Sequence, residues 1–548
     1  MISFQEDLTS IKKIQPWYLI VLALLLLLIR TMRIGKRPAH FPPGPKTSPL
    51  VGNMLQIPNR GLHKQYQTWA QKYGPVFGLM LGPQPLVVLS SDVAVKEVLD
   101  RRSAATNERG EHYVGQEVLG GGEHMLLMPS GPKWRLQRKL MQKMLNISVA
   151  RSYIPYTMLE NQQMLFDLLQ APDEFIHIIK RYSHSVFTTI THGRRCSSHK
   201  DPTMRQFVSS VDELSEIMQS NSAAWPNIFP ALRRLPDWMV PKVTRARTWH
   251  RTQTEFYLGL WNETKTKLHE GRAKPCFAVD VLLKQEKEGF TDKFGAFLCG
   301  AALEAGTDTT ANELIGFVQA MVLFPEVQKK AQAELETVVG QRMPTIEDLD
   351  SLPYVRYCVK ETLRWMPTAI MGAAPHAAKD DIQYQGYVIP KGTLLINNVY
   401  TIHRDGNRYT DPESFKPERY LGDNKCAAES AQSANGAERD HFTFGAGRRL
   451  CAGIHVAEQS LFLGIARILW TFDITPKMDL ITKQPLLPDP ERYTPAVVCM
   501  PEPFPATIKP RSTWRAEKVV AEWTEAQNLL DENGQWKVIG EGLKFTKV

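Results

Sequence analysis

Apolar and polar positions divide the 548-residue chain into a short apolar start, a long mixed body and a charged tail. Residues 17–29 form an unbroken apolar run. From about residue 60 to 510 apolar positions recur mostly at helical spacing, interrupted by short alternating stretches that read as strands. Residues 76–89 predict a hairpin turning at Gly82-Pro83. Residues 294–323 predict one long, mainly apolar helix that stops before Pro325, and 382–396 predict short strands broken by Gly386, Pro390 and Gly392. The run 454–472 reads as a helix that begins at Cys451, and 514–530 as an amphipathic helix stopped by Asn533-Gly534. Residues 422–440, rich in small and polar types, predict a surface loop, and no internal repeat is visible. The expected class is mainly α with a small β region. One large domain spans 60–510, followed by a C-terminal extension at 511–548.

The apolar start changes this picture. As a helix, residues 17–29 reach ~20 Å, and counting from Ile14 to Met32 extends this to ~28 Å, against a hydrocarbon core of ~30 Å. Lys12 and Lys13 precede the run; Arg30, Arg33, Lys36 and Arg37 follow it. A cleaved signal peptide is the competing reading, but no small-x-small site follows. The pattern predicts a transmembrane signal-anchor at 14–32, a lumenal 1–13 and a cytosolic body, because positive charge stays on the cytosolic side. Residues 33–59 are basic and carry Pro38, Pro42, Pro43 and Pro45, which predicts a semi-rigid linker holding the body off the membrane.

Composition narrows the classes. A charge of +9 is mild, and no basic run interleaved with aromatics occurs, so the chain reads as having no nucleic-acid partner. Seven cysteines are an odd number, with no Cys-x-x-Cys pair. They predict free thiols in a reducing compartment, with any special one defined by its neighbours.

That neighbourhood exists at Phe444-Gly-Ala-Gly447-Arg-Arg449-Leu-Cys451-Ala-Gly453. Glycines let backbone approach a flat ligand closely. A thiolate at the start of a helix is stabilised by the dipole and by free N–H groups, and suits an iron ligand. The string resembles the haem-binding loop of the cytochrome P-450 family; its five specified positions arise by chance in roughly one in 10⁴ such chains. Other stretches carry the same resemblance. Ala305-Gly306-Thr307-Asp308-Thr309-Thr310 lies within the long helix, where Gly306 opens space and an acid beside a hydroxyl suits proton delivery. Glu361 and Arg364 share a helical face, as do Trp134 and Arg138. Phe415-Lys-Pro417-Glu418-Arg419-Tyr420 and Pro375-His376 complete the set.

The resemblance covers nearly all of 38–510 and implies the cytochrome P-450 fold behind one N-terminal transmembrane helix. It implies haem b (iron protoporphyrin IX) held by Cys451, with Phe444 in the haem loop and Trp134, Arg138, His376 and Arg449 on the propionates. It assigns Asp308 and Thr309 to oxygen activation and Glu361, Arg364 and Arg419 to a buried structural triad. The expected activity is a monooxygenase inserting one atom of O2 into a bulky apolar small molecule, in the style of fungal microsomal members acting in secondary metabolism. The same fold also serves oxidative coupling, rearrangement or dehydration, whereas a haem sensor or carrier would not need the acid–alcohol pair.

No nucleotide-binding glycine loop is present, and the resemblance implies electrons from NADPH through a separate reductase, with cytochrome b5 as an optional second donor. Arg135, Arg138, Lys139, Lys143 and Arg448 form the candidate docking face for it. Residues 228–240 mix bulky apolar and basic types and read as either core or an interfacial membrane contact; the resemblance implies the lipid contact. Small residues at Ala301, Ala302, Ala305, Ala369, Gly372, Ala373 and Ala374 predict a roomy apolar site, and 104–125, with Gly120-Gly121-Gly122, a lid. The implied location is the endoplasmic reticulum membrane, single-pass, with the catalytic domain cytosolic.

Overall fold

The computed structural model describes residues 16–219, 225–227 and 229–537. The expected lumenal 1–13, the first two residues of the expected anchor, Ile228 and the end of the tail lie outside the described residues. The predicted long helix is Asp292–Leu323, capped by Thr291, whose hydroxyl accepts from the Phe294 N–H at 3.2 Å. Apolar on nearly every face, it is buried along most of its length and packs against Phe175–His192, Pro241–His269 and Ile454–Thr471. A helix apolar all round belongs at the centre of a large core, and this one runs through it.

Among the described residues the strands form sheets of four, two and three. In the largest, the predicted hairpin Val76–Leu81/Gln84–Leu89 pairs in register Val76↔Leu89, and Leu394–Asn397 adds parallel to its second strand. His376–Ala377 closes the edge. The short strands Ile382–Tyr384 and Tyr387–Ile389 turn at Gly386, whose φ of +80° suits glycine.

Four expectations change. The helix Pro16–Arg33 exists and exposes Tyr18 to Leu26. However, among the described residues no helix is long and apolar enough to cross a membrane. The 33–59 segment is no free spacer. Phe41 is buried, the Gly78 N–H donates to the Pro43 carbonyl at 2.7 Å, and Asn53 is buried with its amide donating to the Pro45 carbonyl at 3.1 Å. Residues 422–440 lie at the surface but are not loop throughout. The helix Ala427–Gln432 buries Ala427, Ala428 and Ala431 against Ile454.

The extension, too, is part of the body. Helix Thr513–Ala526 packs on Ile154–Gln170, burying Val519 and Trp523, and Trp536 stacks near Tyr156. Arg195 donates to the Gly534 carbonyl at 2.8 Å, joining the tail to the buried Glu160–Arg181–Arg195 ion cluster.

Candidate active site

Cys451 lies three residues before helix Ile454–Thr471, so the helix starts later than the apolar run suggested. Gly453 caps that helix, and its N–H is the hydrogen-bond donor nearest the thiol in effect. Backbone geometry sets the loop. The Cys451 N–H donates to the Phe444 carbonyl at 2.9 Å, closing a tight turn around Gly445 and Gly447, with φ of +76° and +61°. A side chain at Gly447 would collide with the Leu99 carbonyl as well as strain its backbone. Among the seven cysteines Cys451 is the exposed one. Desolvation by the surrounding protein nonetheless pushes its thiol pKa up; the Gly453 N–H and Arg138 oppose that shift.

The second group of candidate residues lies on the long helix. Within a buried stretch, Ala305 is exposed and Thr309 half-buried; four residues apart, they share one helical face. The Thr309 hydroxyl donates back to the Ala305 carbonyl at 2.6 Å. Asp308 is buried, its Oδ1 has no partner, and its pKa is raised to about 6, first by burial, then by Asp212 and Glu304, with Lys180 opposing. Gly306 does not open space. The Phe187 ring fills the place where a Cβ would stand, and the Ser183 hydroxyl donates to the Gly306 carbonyl at 2.7 Å. The glycine is there for close helix packing.

The predicted propionate residues converge. The Arg449 guanidinium stacks 4.2 Å from the Trp134 ring and donates to the carbonyls of Asn107, at 3.0 Å, and Met128, at 2.9 Å. Arg138 donates to the Leu450 carbonyl and leaves its buried Nε unpartnered. His376 Nδ1 lies 2.9 Å from the Thr106 carbonyl. Arg109 joins them, although no motif marked it: it is buried and donates to the carbonyls of Ala374 at 2.6 Å and Leu126 at 3.0 Å. Burial, then mutual repulsion, lowers Arg109 to about 9, Arg449 to about 10 and His376 to about 3, with Glu108 the offsetting carboxylate for both arginines. Two guanidiniums, Arg109 and Arg449, that share one carboxylate, with Arg138 next to an exposed thiol, fit a flat group that carries acidic substituents and an iron seeking sulfur.

Glu361 and Arg364 form a bidentate pair at 2.7 Å, both fully buried, and Arg419 reaches the same carboxylate at 3.1 Å. Phe444 is half-buried beside His441. Arg135, Lys139, Lys143 and Arg448 are exposed, whereas Arg138 turns inward and leaves the docking face.

The family model for cytochrome P450 matches residues 42–503. The chain belongs to the cytochrome P450 family. It is 44% identical to cytochrome P450 monooxygenase virE of Hypocrea virens, over 97% of this chain and 96% of that protein. Cytochrome P450 monooxygenase fogE of Aspergillus ruber is 41% identical over 96% and 97%, and fsoB of Humicola fuscoatra 40% identical over 96% and 98%. As a cytochrome P450 monooxygenase the protein is an oxidoreductase that binds haem through a cysteine thiolate and draws electrons from a redox partner.

Proposed function

We propose that Cys451 supplies the thiolate and that the protein oxygenates a bulky apolar small molecule in a biosynthetic pathway of secondary metabolism. The observations carrying this are an exposed Cys451 in a glycine-built loop and, in an otherwise buried helix, an exposed Ala305 with a half-buried Thr309 on the same face. When bound, haem supplies dioxygen activation, which an axial thiolate favours. Arg109, Arg138, Arg449, Trp134 and His376 orient the cofactor by its acidic edge. Thr309 holds a hydroxyl toward the reacting side, and Asp308, protonated below about pH 6, is a store of protons one residue away. Ala369 and Ala373, both half-exposed, leave room for a wide scaffold.

The body operates at the endoplasmic reticulum membrane in this reading, with its catalytic domain in the cytosol. Supporting it are the exposed leucines of helix Pro16–Arg33 and the exposed Trp238 and Met239 beside Arg233 and Arg234, a mixture suited to a lipid interface. The reductase, fed by NADPH, docks on Arg135, Lys139, Lys143 and Arg448, with cytochrome b5 as an accessory donor. The test is the carbon monoxide difference spectrum of reduced protein. A band at about 450 nm supports Cys451 ligation, and its absence from folded, haem-loaded protein overturns it.

A further inference from the structure

Two side chains outside every motif named above hold the Cys451 loop. The Asp100 carboxylate accepts the Gly447 N–H at 2.5 Å, and the Arg439 guanidinium donates to the Gly445 carbonyl. These are the two glycines whose left-handed backbone, at φ of +76° for Gly445 and +61° for Gly447, turns the loop. Asp100 and Arg439 also pair with each other, Oδ2 to Nη1 at 3.8 Å, and Lys96 lies 3.3 Å from the same oxygen. Arg439 is buried, and its Nε donates to the His441 carbonyl at 2.9 Å. One guanidinium thus fastens both ends of the stretch that leads into the loop.

Neither carrier segment has a task in the catalytic reading. Asp100 lies in Lys96–Arg101, a wide turn of π-type helix, whose Leu99 carbonyl occupies the space that a Cβ on Gly447 would need. Arg439 stands near the end of the 422–440 segment, whose helix Ala427–Gln432 packs against Phe444 and Leu450, the neighbour of Cys451. We infer that Asp100 and Arg439 are positioning residues that brace the Cys451 loop, and that the 422–440 segment acts on the site through Arg439. A half-buried backbone N–H or C=O that loses its partner must move or admit water. Bonds to charged partners are shorter and stronger than neutral ones, so this brace is the firm part of the loop's surroundings. Loosening it lets water reach the sulfur, and a protonated thiol is no metal ligand. That last consequence rests on the assignment of Cys451 as the thiolate, whereas the brace itself does not.

The test uses the full-length protein as purified and two measurements. Hydrogen–deuterium exchange of peptides covering 442–453 reports the loop directly. The lifetime of the carbon monoxide band at about 450 nm in mild urea reports the sulfur. In Asp100→Ala and in Arg439→Leu both the exchange and the loss of the band are about tenfold faster, the equivalent of one charge-assisted hydrogen bond. Asp100→Asn keeps an acceptor for the Gly447 N–H and stays within about threefold of wild type. Arg515→Leu, which breaks the ion pair with Glu336 in the C-terminal helix, lowers the melting temperature and leaves both loop rates unchanged. Wild-type exchange in Asp100→Ala overturns the proposal, as does equal acceleration in Arg515→Leu. Faster exchange with an unchanged band lifetime overturns the positioning role. If Arg439→Leu does not fold, Asp100→Ala, at a partly exposed position, decides alone. A wild-type protein without the band, but with faster exchange in Asp100→Ala, refutes the thiolate assignment and supports the brace.

Discussion

The two faces of the candidate site are built differently. On the Cys451 side, geometry comes from backbone: left-handed glycines at 445 and 447, a carbonyl accepting the Cys451 N–H, and a neighbouring chain at Leu99 and Asp100 that leaves no room for a side chain. On the opposite side it comes from side chains of distant segments, His124, Gln253, Tyr257 and Glu304, meeting over one carboxylate. Backbone geometry needs particular residues in a fixed order. Side-chain meetings need only compatible partners, so the second face is free to vary with the molecule being handled.

The largest effect that would break this contrast is at the sulfur. Cys451→Ser abolishes the band at about 450 nm and lowers turnover by about 10³-fold or more, measured with reductase and NADPH. Next comes the support beneath the loop. Glu361→Ala leaves Arg364 and Arg419 facing each other without the buried acid, a loss of about 3–5 kcal/mol, seen as haem-free or aggregated protein on size exclusion. If Glu361→Ala folds with wild-type haem content, the triad is not what holds this face.

On the helix side the expected changes are smaller and functional. Thr309→Ala keeps the spectrum but lowers product formed per NADPH by roughly tenfold, the missing reductant appearing as peroxide. Equal coupling in the variant removes Thr309 from proton handling. Smallest is Asp308→Asn. Its folded pKa is raised to about 6, so between the unfolded carboxylate value of about 4 and pH 6 the folded state holds more protons, and stability falls as pH rises through that window. Above pH 6 the ionised acid therefore costs on the order of 2 kcal/mol, a cost that Asn lacks. Thermal melts show the variant more stable than wild type at pH 7.5 and equal to it near pH 4. The reverse order would mean that Asp308 has an ion partner and is not a proton store.

Legibility in the sequence follows the same division. The haem loop, the acid–alcohol pair, the Glu361–Arg364 pair and Trp134 with Arg138 each lie within a few residues, where helical spacing or glycine content already implies who faces whom. Arg109 and Glu304 gave no such signal, because their meaning depends on Arg449 and His124, far away in the chain. The tail and the 422–440 segment were misjudged for a related reason. Alanines and scattered tryptophans look polar-neutral or amphipathic alone, and burial against Ile454 or helix Ile154–Gln170 appears only when those partners arrive. Gly306 teaches this at a single position: a glycine in a helix could equally open a space or admit a neighbour, and the Phe187 ring decides for the second.

By itself, then, the amino-acid order determined the mainly helical class with its small sheets, the thiolate loop and the family, since these rest on local periodicity and on residues a few positions apart. Tertiary structure alone decided which arginines share Glu108, which side chains meet at Glu304 and how the tail packs. Those outcomes depend on distances between segments that are remote in the chain, and burial makes each unmatched charge or hydrogen bond there count for several times its worth in water.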